Sequence, residues 1–213
     1  MAVSVLVMAK APRPGSVKTR LEPLLGAEGC ARLQGALIEA VTSWAADLSP
    51  GGAYLAYGGA EEDLRPHVAA GVQTFPDTRG DLGDRLAAAT ARVFRRRSEP
   101  LVVVGTDMPV LTRAHAREAE AVLRGGADVV FGPALDGGYW MVALARPAPD
   151  VFDLGGEWGG AAVLERSLER CAAAGLRVEM LGMQRDLDDA ADARALADHP
   201  RLPPAVAEIL AAT

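Results

Sequence analysis

The chain is sparing with the residues that would mark several whole classes of protein. Its 213 residues include only two cysteines, Cys30 and Cys171. Both fall in stretches of helical spacing, so no disulfide framework is expected and a reduced, cytoplasmic setting is the simplest expectation. The three histidines, His67, His115 and His199, are isolated and lack metal-ligand spacing. Aromatic residues make up 5%, so a core must be packed from small and branched side chains. No apolar run approaches the roughly eighteen residues of a membrane span. The N-terminus has no basic segment ahead of its apolar run, so no signal peptide is expected. Positive charge is in deficit, with a formal net charge of −6, which argues against a general nucleic-acid binder. No G-x-S-x-G, P-loop or Cys/His zinc pattern is present.

What remains is an apolar chain, half of it hydrophobic, in which strand and helix patterns alternate. Buried strands are predicted at residues 3–9 and 101–104, a short strand at 53–57, further strands at 128–131, 139–144 and 177–181, and a weaker one at 72–75. The apolar spacing of Leu33, Leu37, Val41 and Trp44 predicts a helix over 28–44. Further helices are expected at 82–94, 112–123 with Thr112 as N-cap and Gly125-Gly126 as stop, 161–174, 190–197 and 205–212. This alternation indicates an α/β fold with a mostly parallel sheet flanked by helices, in one domain spanning 1–213. The Pro-rich stretch 146–149 reads as an ordinary loop. In such folds, sites lie beyond the carboxyl ends of the strands.

Four segments in such places carry candidate chemistry. After the first strand, Lys10, Arg13, Lys18 and Arg20 fall within twelve residues that contain no acid, in a loop shaped by Pro12, Pro14 and Gly15. It reads equally as a phosphate-binding loop or a solvated basic one. Asp107 follows a buried strand, between Gly105-Thr106 and Pro109. It could hold a Mg²⁺ or Mn²⁺ already on phosphates, or serve a turn. Asp136-Gly137-Gly138-Tyr139-Trp140 joins two strands. Its spacing favours a hairpin turn, and the functional reading makes Asp136 a general base or acceptor contact beside an aromatic wall. Gly80-Asp81-Leu82-Gly83-Asp84 opens a helix, where Asp81 can cap, seat a nucleotide, or do both. Near the end, Asp186, Asp188 and Asp189 stand closer than like charges prefer. Capping explains one of them, and a second metal ligand is credible at Asp186 or Asp188.

Met8-Ala9-Lys10-Ala11-Pro12, Pro14-Gly15, Val17-Lys18-Thr19-Arg20-Leu21, Gly80-Asp81-Leu82-Gly83, the Gly105–Leu111 segment and the Gly132–Trp140 segment together resemble a bacterial glycosyltransferase-like family of the GT-A superfamily (the former DUF2064), some members of which are arsenosugar-biosynthesis or radical-SAM-associated transferases. The resemblance implies a Rossmann-like nucleotide-diphospho-sugar transferase fold. It also implies a metal-dependent glycosyltransferase acting on a nucleotide sugar and a small acceptor. Asp107 matches the family's metal acid, and Asp188 is taken as the second ligand of a Mg²⁺ or Mn²⁺. Ala9, Lys10, Pro14, Gly15, Lys18, Arg20, Asp81, Gly83, Thr106 and Asp107 fall on the nucleotide side. Asp136, Gly137, Gly138, Tyr139 and Trp158 fall on the acceptor side. Asp136, Lys18 and Arg20 are the catalytic candidates. The Lys18–Leu21 segment is also similar to the activating loop of nucleotidyltransferases of this fold, which leaves transfer from a nucleoside triphosphate to a phosphorylated molecule as an alternative. A non-catalytic nucleotide-binding module is a third. The chain departs from the family's pattern where Trp158 is followed by Gly159-Gly160 rather than Ser-Thr, and where Asp189 replaces a threonine. Gly105 stands where the usual Asp-x-Asp has its first acid. The oligomeric state is left open.

Overall fold

A computed structural model describes residues 3–212. Its strands are β1 (Ser4–Lys10), β2 (Ala53–Gly58), β3 (Gln73–Pro76), β4 (Leu101–Val104), β5 (Val129–Pro133), β6 (Tyr139–Leu144) and β7 (Val178–Met180). They form a seven-stranded sheet in the order β3-β2-β1-β4-β6-β5-β7. β1, β2, β3 and β4 run parallel, β6 is antiparallel to both β4 and β5, and β7 is parallel to β5. Only β6 therefore runs against the rest.

Helices cover both faces, which is why the strands read as near-continuous apolar runs. They are α1 (Glu22–Leu48), α2 (Glu61–Leu64), α3 (Leu82–Phe94), α4 (Arg113–Arg124), α5 (Val163–Ala173), α6 (Ala190–Leu196) and α7 (Pro204–Ala211). Alternation along β1 splits the core in two. Val5 and Val7 pack with Leu33, Leu37, Ile38 and Val41 of α1. Leu6 packs on the opposite face with Phe75 and with Leu86 and Val93 of α3.

Local chemistry accounts for the starts of α3, α4 and α6. Asp81 caps α3, its carboxylate accepting the Asp84 N–H at 2.9 Å. Thr112 stands at the N-cap of α4, and its N–H donates to His115 Nδ1 at 3.3 Å. Helix α1 differs from expectation at both ends. It begins six residues earlier, with Pro23 in the first turn, where a missing N–H costs nothing. Gly26, at φ 66°, kinks it. It runs on to Leu48 because Ala45 and Leu48 extend the buried stripe. The short α2 was not foreseen, and the supposed plain loop at 146–149 leads into a 3₁₀ turn, Pro149–Phe152.

The connectivity creates a crevice. From β1 the chain steps outward to β2 and β3, then returns to β4 on the other side of β1. The carboxyl ends of β1 and β4 thus diverge at the switch point of the sheet, where ligands bind in open α/β folds.

Candidate functional site

A cavity of about 600 Å³ opens at that switch point. Ala9, Lys10, Lys18 and Arg20 reach it from the β1 side, Thr106 and Asp107 from the end of β4, Asp136, Gly138 and Tyr139 from the β5–β6 hairpin, and Trp158 and Asp188 from later segments. Five separate segments of the chain are therefore brought to one hollow.

Its polar end is built around Lys18. This is the one non-glycine residue with a positive φ, 50°, among the described residues. Its backbone carbonyl accepts the Leu21 N–H at 2.8 Å and faces Cys30 Sγ at 3.3 Å. The side chain is only 5% exposed, and Nζ lies 2.7 Å from Asp107 Oδ1 and 3.4 Å from Asp188 Oδ1. It also donates to the Leu187 carbonyl at 2.5 Å. Burial alone would push the ammonium's pKa down, but the two carboxylates outweigh it and hold it above the ordinary lysine value. Asp107 is braced in turn. Its carbonyl accepts the Leu187 N–H at 2.7 Å, and the Thr106 hydroxyl lies 3.2 Å from Oδ1. Gln34 Nε2 donates to Thr106 Oγ1 at 3.3 Å and to the Lys10 carbonyl at 3.1 Å, tying the two strand ends together.

The three late acids divide the work. Asp189 caps α6, accepting the Ala191 and Asp192 N–H groups at 2.7 and 3.0 Å. Asp188 turns to Lys18 and to Arg20, whose Nη1 is 3.4 Å away. Burial raises its pKa against the pull of those cations. Asp186 also lines the cavity. Burial, then the charges of Asp136, Asp188 and Asp107, push its carboxyl up to about 6. Sequence reasoning singled out this cluster by its crowding, and the fold resolves it into one cap and two cleft residues.

Asp136 is both a turn residue and a cavity residue. It sits in the β5–β6 hairpin, where Oδ1 accepts the Gly138 N–H at 2.8 Å, and it lines the cavity. The other end of the hollow is apolar, with Met8, Leu86, Val103, Val142, Tyr139 and Trp158 around it. The Tyr139 and Trp158 rings meet edge-on at 6.4 Å.

Of the residues given a nucleotide, acceptor or metal role, five do not line this cavity. A Cβ on Gly137 would stand 2.0 Å from the Ala161 carbonyl oxygen, and on Gly83 2.1 Å from that of Phe152. Both glycines thus permit close chain packing. Asp81 is engaged in its cap. Pro14 and Gly15 are exposed on the loop crest, and Gly15 takes φ 74°. Arg13 instead faces an adjoining hollow of about 490 Å³, with Lys10, Asp63, Asp77, Thr78 and Arg85. Arg85 there pairs with Asp77 at 2.5 Å.

No three His, Cys, Asp or Glu side chains converge on a metal position among the described residues. Two carboxylates do converge on one cation, the Lys18 ammonium. Hard oxygen donors in that number fit Mg²⁺ or Mn²⁺, which commonly take one or two carboxylates and complete the shell with water and phosphate oxygens. Among the described residues no helix is long and apolar enough to cross a membrane.

Comparison with known proteins agrees with this architecture. A family model described as "Uncharacterized protein conserved in bacteria (DUF2064)" matches residues 43–159. A candidate nucleotide-diphospho-sugar transferase from Desulfovibrio desulfuricans G20 superposes with a TM-score of 0.86 at 27% identity, covering 100% of this chain and 95% of that one. A cytidylyltransferase from Leptospira borgpetersenii gives 0.58 at 11% identity, covering 100% and 93%. Rv0371c from Mycobacterium tuberculosis H37Rv, in complex with manganese, gives 0.52 at 20%, covering 92% and 98%. Among curated proteins none matches the chain. The fold is that of the nucleotide-diphospho-sugar transferases.

Proposed function

The chain belongs to the bacterial DUF2064 family, and from that membership and its cleft we propose that it is a Mg²⁺- or Mn²⁺-dependent glycosyltransferase, moving a sugar from a nucleotide-diphospho-sugar donor to a small acceptor in the cytoplasm. The observation that carries the reading is the pair of carboxylates, Asp107 at 2.7 Å and Asp188 at 3.4 Å, drawn to one cation beside the loop that follows β1. Asp107 and Asp188 hold the metal in this reading. Once bound there, the ion neutralises charge on the departing diphosphate. Arg20, its side chain 70% exposed, offers phosphate oxygens a two-pronged donor, and Lys10 offers a point charge. Lys18 also serves the phosphates. Asp136 takes the acceptor hydroxyl's proton, leaving Oδ1 to hold the turn. Tyr139 and Trp158 form the wall against which the acceptor rests.

The full-length likeness to the Desulfovibrio protein favours sugar transfer. Nucleotidyl transfer is the second reading, supported by the density of cations in the loop, Lys10, Arg13, Lys18 and Arg20, which suits a triphosphate as well as a diphosphate. A donor screen with Mn²⁺ and Mg²⁺ decides between them. Release of a nucleoside diphosphate from a nucleotide sugar is expected. Pyrophosphate release from a nucleoside triphosphate would establish the second reading instead. Isothermal titration with and without EDTA should show metal-enhanced nucleotide binding in the wild type. Equal enhancement in Asp107→Ala would remove Asp107 from the metal's ligands.

A further inference from the structure

We infer that the cleft accepts its divalent cation as a chelate with phosphate and not as the bare ion, because Lys18 holds the metal's seat until a phosphate draws it away. This rests on the reading of Asp107 and Asp188 as the metal's protein ligands. Three observations carry it.

First, the seat is taken. Nζ touches Asp107 Oδ1 at 2.7 Å, lies 3.4 Å from Asp188 Oδ1 and donates to the Leu187 carbonyl at 2.5 Å. A metal bonds carboxylate oxygen at about 2.1 Å. It cannot bridge these two acids while an ammonium sits between them without two cations crowding the same oxygens.

Second, a bare ion gives Lys18 nothing in exchange. With its side chain 5% exposed, the ammonium would have to surrender its partners and leave the Leu187 carbonyl unpaired. A metal–phosphate chelate brings anionic oxygens next to the metal, where a displaced Lys18 can find a new partner without returning to water. Metal binding and phosphate binding are then coupled through one side chain.

Third, the backbone beneath Lys18 is strained in its resting position. At φ 50° and ψ 35° a lysine occupies a region that L-residues avoid, and such outliers persist where surrounding contacts enforce them. The Asp107, Asp188 and Leu187 contacts fix the side chain here, and the Leu21 N–H holds the Lys18 carbonyl. Gly15, three residues earlier, also has positive φ, and nothing lies within 4 Å of where its Cβ would be. The loop crest at Gly15 therefore borders open space.

Isothermal titration with MnCl₂ alone, and with preformed manganese pyrophosphate, tests the inference on wild type, Lys18→Met and Lys18→Gln. Glutamine removes the charge while keeping a donor for the Leu187 carbonyl, so it serves if the methionine variant folds poorly. Wild type should take the chelate well and the bare ion weakly. The neutral variants should bind bare Mn²⁺ at least about tenfold more tightly than wild type, since a competing charge has gone, and should lose most of the advantage that pyrophosphate confers. Mn²⁺ should also raise their melting temperature more than that of wild type. Neutral variants that bind the bare ion no better than wild type would overturn the inference, as would a wild type that binds the bare ion as tightly as the chelate. Adding Asp107→Asn separates the two levels. If it abolishes Mn²⁺ binding while the neutral variants match wild type, only the role of Lys18 falls. If binding survives it, the seat itself is misassigned.

Discussion

In metal-free protein, Asp186→Asn should raise stability at pH 7.5, and the gain should shrink as the pH falls. Burial and the neighbouring charges of Asp136, Asp188 and Asp107 push the folded-state carboxyl up to about 6, against an ordinary value of 3.8. Between those two values the folded chain holds a proton that the unfolded chain has lost. Stability therefore falls as pH rises through this window, and the whole cost is present above pH 6. A shift of about two units corresponds to about 3 kcal/mol. Asp186 is only half-buried, so solvent screening reduces this to about 1–1.5 kcal/mol. For a chain of this length that is about 3–5 °C in Tm. Asparagine never ionises and escapes the cost. Differential scanning calorimetry in EDTA at pH 7.5 and pH 4.5 measures the difference. A gap between variant and wild type that does not change with pH would refute the reasoning, as would a variant less stable at both. The outcome bears on function, because acids held together at a cost in stability are what a site that awaits a cation requires.

Three further outcomes are expected. Asp136→Asn should leave nucleotide affinity near wild type and lower turnover by about 10²–10⁴-fold, read by steady-state kinetics with the true acceptor. Near-normal turnover would return Asp136 to the hairpin turn alone. Gly137→Ala should destabilise by about 2 kcal/mol or more, read by chemical denaturation. Its φ is 90°, and the new Cβ would meet the Ala161 carbonyl at 2.0 Å. Cys30 and Cys171 are both buried and free, with burial raising both pKa values, that of Cys171 to about 11. Neither should react with a disulfide reagent in native protein at pH 8 on a timescale at which denatured protein reacts fully.

The sheet was legible because its strands are buried on both faces and show as apolar runs broken by Gly and Pro. The β5–β6 turn was legible for the same local reason, since Asp136-Gly137 is a turn signal in its own right. Helix α1 was cut short because its first turn rests on Pro23 and Gly26 rather than on amphipathic spacing. Gly83 and Gly137 each have a main-chain carbonyl lying against them, and a sequence shows that a glycine is present and not what packs on it. His115 shows a similar limit. It caps α4 and lies against Trp140, with ring centroids 5.1 Å apart, a pairing between distant segments that no local pattern announces.

Lys18 marks where local reading stops most sharply. The loop after β1 is cationic in sequence because no acid lies within it. Its acids arrive from 89 residues onward at Asp107 and from 170 onward at Asp188, and only the fold sets them opposite. Arg13 faces the adjoining hollow, and Arg85 is spoken for by Asp77. Lys10, Lys18 and Arg20 are then left in the main cavity with Asp107, Asp136, Asp186 and Asp188. With Arg85, which also lines this cavity, four cations stand against four carboxylates, and the resting cleft is close to charge balance. On the proposed reading, a phosphorylated ligand gains there by bringing a cation of its own, so that the metal would be part of what the cleft recognises and not merely an aid to the chemistry that follows.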